Sequence, residues 1–338
     1  MKRAVTTTIQ ILVSIALIVW IFHNPEKRAE MADALRSAEM GWFVPAIAAM
    51  GVVLALQAFR WHLLVRAIGI PLGWWRTAQL YMIGAFFNLF LLGATGGDVV
   101  KIFYAMRESG GERAGAFLSV VLDRVLGLLA LAAVSAVVVG WQFQAYMATP
   151  VAQGLLLTIA AVLGASVGVV VVAAVVAALK LEERLPAWMP MRRAIVDLAV
   201  ATQRYARSPG TLFAAFALSI AGHLLLFSTF YFSAQAFTAS LNLGEIFSVM
   251  PIVNTITSLP ISFSGIGVRE ELFQNLLDGL YGVPKAIAAL ISMGGYLVAV
   301  AWSLVGGVIY LFYRPSAGHV SIREMSRTAE DAADHPSR

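Results

Sequence analysis

The chain contains no cysteine, which excludes disulfides, thiolate metal sites and cysteine nucleophiles. Charge is scarce as well: Asp, Glu, Lys and Arg make up 13% of residues, against about 25% in a soluble domain. Residues 125–179 and 208–244 contain none of the four. The five histidines, His23, His62, His223, His319 and His335, never fall three or four positions apart. The zinc-hydrolase spacing is therefore missing, and no metal or other cofactor is expected. The glycines at 93–97 are not followed by Gly-Lys-Ser/Thr, which sets aside a nucleotide-phosphate loop.

What is present is apolar: 59% of residues are hydrophobic. A helix crosses the hydrocarbon core with about 20 apolar residues, and runs of that kind predict full spans at 5–23, 41–59, 115–140, 154–179, 211–239 and 285–312. Lys2 and Arg3 precede the first run, but no small-residue cleavage site follows Ile21, so it reads as an uncleaved span and not a signal peptide. Two further stretches are interrupted. Residues 77–106 are broken at Gly93-Ala94-Thr95-Gly96-Gly97-Asp98, and 245–280 at 259–267, which holds Pro260, Ser262, Gly265 and Gly267. Each reads as a helix–break–helix hairpin that enters and leaves on one side. Irregular backbone at that depth must be buried in protein or line a wet cavity. The expected fold is an all-α integral membrane protein of about six full spans plus two re-entrant or broken helical hairpins.

Lys and Arg set orientation in such proteins. Arg60, Arg66 and Arg76 mark the 60–76 segment, six basic residues mark 180–210, and Arg314 opens the tail. With these in the cytoplasm both termini are cytoplasmic, and the membrane is taken to be the bacterial inner one. The 24–40 connection then lies outside, its Lys27, Arg28 and Arg36 offset by Glu26, Glu30, Asp33 and Glu39. Tryptophans Trp42, Trp61, Trp74, Trp75, Trp141 and Trp188 are read as interfacial anchors at span ends, and 181–210 as lying along the membrane surface. The order span, span, hairpin, span occurs over 5–140 and again over 154–312. Three crossings per unit turn the second unit upside down, an inverted repeat within one transmembrane domain, 1–314, before a disordered cytoplasmic tail, 315–338.

Broken segments at matching positions of two halves point to a transporter's binding site. Asn88 and Asn254 precede the breaks; Asp98 and Glu270 follow them. Charges inside spans face partners or a polar path. Lys101 sits one turn from Asp98, Asp123 and Arg124 lie within a span on different faces, and Arg269 adjoins Glu270. Two readings of these six charges stand side by side. Either Lys101, Arg124 and Arg269 present cations to a headgroup, or acids and bases close a structural ion-pair network. His223, near mid-span, is a weaker pathway candidate.

The pattern Asn88…Gly93-x-x-Gly96-Gly97-Asp98-x-x-Lys101, then Asp123-Arg124-x-x-Gly127, then Leu259-Pro260-x-Ser262-x-x-Gly265-x-Gly267-x-Arg269-Glu270 resembles the flippase-like transmembrane domain of lysylphosphatidylglycerol synthases and its stand-alone relatives. The first motif departs from the common form, which has Pro-Gly before the turn and often Arg where Lys101 stands. The resemblance implies a protein that moves a polar lipid, anionic or aminoacylated, between leaflets. It also implies that Asn88, Gly96, Gly97, Asp98, Lys101, Asp123, Arg124, Asn254, Pro260, Ser262, Gly265, Gly267, Arg269 and Glu270 meet that lipid. The expected partners are membrane lipids and a separately encoded lipid-synthesis enzyme, not nucleic acid. Movement is passive or coupled to protons or sodium. The soluble aminoacyltransferase domain of the full-length synthases has no counterpart after 314, so no enzymatic activity is expected. The alternatives are a membrane component of an aminoacyl-phosphatidylglycerol synthase or other lipid-modifying enzyme, and a structural partner subunit.

Overall fold

A computed structural model describes residues 23–90, 96–141, 192–259 and 262–314, with isolated positions at 19 and between 160 and 175. The expected spans at 5–23 and 154–179 fall almost wholly outside the described residues. The 142–153 loop, the 181–191 stretch with Trp188, positions 91–95, Pro260 and the 315–338 tail fall outside them too. Among the described residues all regular structure is helical: α1 (Pro25–Arg36), α2 (Phe43–Ala67), α3 (Trp74–Phe90), α4 (Gly96–Glu108), α5 (Arg113–Trp141), α6 (Arg192–Ala206), α7 (Pro209–Ala236), α8 (Leu243–Thr257), α9 (Val268–Tyr281) and α10 (Lys285–Phe312). Four are long and apolar enough to cross a membrane: α2 with the 3-10 turn Met40–Trp42 ahead of it, α5, α7 and α10. The protein is therefore a multi-pass helical membrane protein.

Local chemistry explains the boundaries. α1, read from sequence as plain connection, is a helix because Asn24 accepts a hydrogen bond from the Glu26 N–H (2.9 Å) and Pro25 occupies the first turn. At α8, Asn242 and Glu245 cap each other's backbone N–H at 3.0 and 2.8 Å. The interrupted stretches become the pairs α3–α4 and α8–α9, with the breaks where the glycines and Pro260 stand in sequence.

The packing has two-fold logic. α3 lies on α10, and α8 lies on α5. α2 contacts α3, α5 and α10, while α7 contacts α8, α10 and α5. α4 packs on α5 as α9 does on α10, and α1 on α10 as α6 does on α5. Exchanging α1–α5 for α6–α10 leaves these pairings unchanged. The central pair, α2 with α7, runs antiparallel: Trp42 stacks on Phe232, the Gln57 side chain lies beside Gly222, and Arg60 bonds Ser219. Equivalent helices that run in opposite directions are the signature of inversion. Matching contacts hold each hairpin to the opposite half. Gly306 and Gly307 of α10 let Met82 and Phe86 of α3 approach so closely that a Cβ at Gly306 would meet the Met82 carbonyl. Ser135 of α5 donates to the Pro251 carbonyl of α8 (3.1 Å) and contacts Thr255.

The hairpins enter from opposite ends. At one end, Arg76 at the start of α3 bonds Glu108 at the end of α4 (2.9 Å), and Tyr313 after α10 donates to the same carboxylate. Burial, then that bond, pushes the Tyr313 phenol up, so it stays protonated. α6 docks at this end, Arg204 on the Ile68 carbonyl and Tyr205 on the Leu64 carbonyl. At the other end α1 reaches the second hairpin through Lys27 and Gln274, and Ser248 of α8 meets Tyr281 of α9 (2.6 Å).

Trp75 and Trp141 are 78% and 87% exposed, whereas Trp61 cannot be the interfacial anchor expected of it. Trp61 is fully buried, and its indole N–H donates to Ser119 at 3.2 Å. The span it sits in extends to Ala67, well beyond the 41–59 expectation, so Trp61 faces α5 and not the interface. The close α3–α10 crossing generates a test. Gly306→Val should lower the thermal unfolding midpoint in detergent by an amount corresponding to about 1–3 kcal/mol of overpacking. Gly140→Val, where a side chain would meet nothing within 4 Å, should leave it unchanged.

Candidate functional site

The tips of the two hairpins touch. At the first, the Asn88 side chain accepts the Gly97 N–H (2.8 Å), which satisfies a donor in the first turn of α4. Gly97 has no side chain because α3 is there: a Cβ would run into the Gly84 carbonyl and Asn88. At the second, Ser264, Gly265 and Gly267 have φ of 50°, 76° and 84°. Glycine adopts these left-handed values without cost, whereas Ser264 is a strained position of the sort found at functional turns. The Ser264 hydroxyl donates to the Asn88 carbonyl (3.4 Å), joining the second tip to the first. Asn254, Ser262, Gly96 and Gly265 belong to these tips. Ser262 is buried, Asn254 is half-buried and its carbonyl receives the Ser258 N–H.

From the first tip a chain of charge runs inward. Arg124 pairs with Asp98, whose other oxygen lies 3.6 Å from Lys101 Nζ. Lys101 reaches Asp123 at 3.2 Å, and Arg60 holds the second Asp123 oxygen through Nε at 2.7 Å. Arg60 also donates to Ser219 (2.9 Å) on α7. Lys101 lies 4.7 Å from the Tyr81 ring centroid and 5.1 Å from that of Trp61; Tyr81 itself bonds Gln57. Among the described residues the chain joins three cations and two carboxylates. Lys101, Asp123 and Arg60 are all sealed, at 4%, 3% and 6% exposure. Arg124, with its side chain 34% exposed, is the accessible end.

The second half is built differently. Glu270 is spent on structure: its carboxylate takes the Gly267 N–H (2.6 Å) and the Ser292 hydroxyl (3.0 Å). Arg269 donates to the Ser264 carbonyl (2.8 Å) and lies 4.1 Å from the Tyr296 ring centroid. Away from both, His223 meets the Gly127 carbonyl at 3.0 Å through Nε2, beside the Arg60 guanidinium, which is 3.2 Å from where a Gly127 Cβ would stand.

Sequence spacing pairs Asp98 with Lys101 and leaves Asp123 and Arg124 to find partners elsewhere; the structure places those partners at Lys101 and Asp98 respectively. The first-half charges form an ion-pair network, and neither Arg269 nor Glu270 takes part in it. Arg60 was missed, having been placed in a cytoplasmic segment; it is buried inside α2. The available signal was the buried Asp123 itself, which needs more cation than Lys101 supplies. Tyr81, Ser219, Ser292 and Tyr296 were also missed, since an isolated hydroxyl in an apolar run carries no spacing signal. Among the described residues no cluster of His, Cys, Asp or Glu could hold a metal ion.

Broken helix pairs meeting inside an inverted bundle define a class of polytopic membrane protein. Within it, the chain belongs to the family described as the lysylphosphatidylglycerol synthase TM region, which matches residues 7–314. It is also similar to a UPF0104 membrane protein of Methanothermobacter thermautotrophicus, 29% identical over 126 residues; the alignment covers 37% of this chain and 36% of that protein. No solved structure gives a significant match.

The ion-pair chain predicts its own energetics. Asp123→Asn leaves Arg60 and Lys101 buried without their shared carboxylate, which should cost about 3–5 kcal/mol. Replacing Arg60, Asp123 and Lys101 together by Met, Leu and Met should restore most of that loss. Thermal and denaturant unfolding in micelles measures both. A single variant as stable as the parent would contradict the pairing.

Proposed function

We propose that this protein moves a polar lipid between the two leaflets, the headgroup passing through the junction of the hairpin tips while the acyl chains stay in the bilayer. The observation that carries the reading is the contact of two broken helix pairs entering from opposite ends, Ser264 against Asn88, with charged side chains gathered there. Half-helix termini and unwound backbone at the interface of inverted repeats are how membrane transporters build a midplane site. Burying ionisable groups at such depth is costly enough that they mark a path.

The end that carries Arg66, Arg76, Arg107, Arg113, Arg204, Arg207 and Arg314 is assigned to the cytoplasm, with both termini on that side of a bacterial inner membrane. Neither enzymatic activity nor a nucleotide is part of the reading. Energy comes from the lipid gradient itself or from an ion gradient. The family description adds a second reading, in which this chain is the membrane component of an aminoacyl-phosphatidylglycerol synthase and a separately encoded enzyme supplies the lipid.

Proteoliposomes containing only the full chain test the proposal, with headgroup-labelled phosphatidylglycerol, lysylphosphatidylglycerol and phosphatidylethanolamine read by leaflet-selective quenching. The expected outcome is protein-dependent exchange that slows at least about tenfold in Asp98→Asn, a variant that removes the Asp98 pairs to Arg124 and Lys101 while leaving the Asp123 pairs in place. Absence of exchange for every lipid, with and without a proton or sodium gradient, refutes transport.

A further inference from the structure

One turn beyond the ion-pair chain stands a titratable group that the chain does not use. Arg60 of α2 is wedged between α5 and α7: its Nε bonds Asp123 of α5 at 2.7 Å, and its Nη1 donates to Ser219 of α7 at 2.9 Å. Four residues on from each of those contacts, on the same two helix faces, lie Gly127 and His223. They make the next rung, His223 Nε2 lying 3.0 Å from the Gly127 carbonyl. Glycine at 127 leaves room for Arg60, whose Nη1 is 3.2 Å from where a Cβ would stand. A carbonyl can only accept, so Nε2 carries the hydrogen and Nδ1 a bare lone pair. That Nδ1 is shut from solvent and has no hydrogen-bond partner among the described residues.

Few charges surround it. α7 packs against α2, α5, α6, α8 and α10. Arg60 comes from α2, and Asp123 from α5 has its two oxygens taken by Arg60 and Lys101. The charged residues of α8 and α10 are Glu245 and Lys285, each in the first turn of its helix, and α6 docks at the Arg-rich end of the bundle. A buried nitrogen with an unused lone pair costs free energy that leucine at this position would avoid. Ionisable groups kept at mid-span despite such a cost mark function. A proton is the ligand that needs nothing but the lone pair.

We propose that His223 is a proton-binding site whose occupancy sets the fit between the two halves, and through which a proton gradient drives lipid movement. This rests on the transport reading and names its coupling ion. A hydronium ion gives its proton to the Nδ1 lone pair: an N–H bond forms, an O–H bond of the donor breaks, and Nε2–H stays on Gly127. The imidazolium then stands one helical turn from the hydroxyl that holds Arg60, and Asp123 has no oxygen left to offset it. Two cations so placed repel strongly in a low-dielectric interior. The repulsion is relieved when α7 draws away from Arg60. Because α7 belongs to the second half and α2 and α5 to the first, that parting moves one half against the other. Nδ1 is shielded in the closed contact, so it loads and unloads as the contact opens, which ties proton traffic to shape.

The first measurement needs no transport. The full chain, its histidines labelled for nitrogen NMR, is titrated in neutral detergent from about pH 8 to about pH 5, across the ordinary imidazole range. The signal lost in His223→Gln identifies the residue; glutamine keeps an N–H for the Gly127 carbonyl but takes no proton. Since the chain has no cysteine, spin labels on Phe117→Cys and Phe213→Cys, exposed positions of α5 and α7, report the separation of those helices. The expected result is an Nε2–H tautomer at alkaline pH that becomes imidazolium, with a label distance that lengthens alongside and ignores pH in His223→Gln. An imidazole that stays neutral throughout, or a distance indifferent to its titration, overturns the proposal. A pH-dependent distance that persists in His223→Gln overturns it too. Should His223→Gln fail to fold, glutamine at His23, His62, His319 and His335 instead leaves His223 as the sole imidazole. The second measurement is the leaflet ratio of labelled phosphatidylglycerol in proteoliposomes under a gradient of about one pH unit. The ratio should shift by up to about tenfold, the bound for one proton per lipid, and stay near unity in His223→Gln. Exchange without that bias overturns the coupling and leaves transport intact. Titration and opening without any exchange support the proton site and remove the transport reading.

Discussion

Everything in this molecule hangs on one constraint: backbone N–H and C=O groups inside a bilayer must find partners within the protein. An unbroken helix meets it automatically. The two hairpins do not, and their tips show how the requirement is met. Asn88 takes the Gly97 N–H, Glu270 takes the Gly267 N–H, and Ser264 bridges from one tip to the Asn88 carbonyl of the other. Among the described residues each break is braced by its own side chains and by its counterpart. The small residues at Gly84, Gly97, Gly306 and Gly307 serve the same end, letting hairpin helices press against each other and against the long spans.

The buried charges follow from that arrangement. Once Asp123 is placed inside α5 it must be surrounded by cations, and Arg60 and Lys101 come from two different helices to do it. A carboxylate holding two cations ties α2, α4 and α5 into one rigid body, and the Arg60–Ser219 bond extends the tie to α7. Such networks are weak sources of net stability but strong determinants of a unique arrangement, because nearly every alternative leaves a charge unpaired in an apolar interior. Rigidity on the first side and sparser polar contacts on the second follow from the same sequence asymmetry.

Much of this could be read from the chain alone because membrane insertion imposes a coarse code. Run length gave the long spans, and glycine with proline gave the breaks. Asp123 beside Arg124 announced partners on other helices. What could not be read was of two kinds. α1 lies outside the bilayer, where the hydropathy signal is silent and only the Asn24-Pro25 cap marks it. Arg60 and Trp61 sit near the end of an apolar run, where a basic residue and a tryptophan ordinarily signal the interface; burial came from α5 and α7, which no local pattern encodes. Tyr296 was invisible for a similar reason, its meaning coming from Arg269, which is distant in sequence.

Phe273 stacks on Phe230 in the second half, whereas Lys101 in the first half packs beside Trp61 and Asp123, and this asymmetry has a thermodynamic corollary. In a bundle of two identical inverted halves, a rocking motion that swaps their conformations connects end states of equal energy. Here the swap would hydrate an ion-pair chain in one end state and an aromatic stack in the other. Water stabilises exposed charge and penalises exposed rings. If the bundle rocks as the transport proposal requires, the degeneracy is lifted, and the unliganded bundle rests in the end state that faces one side of the membrane.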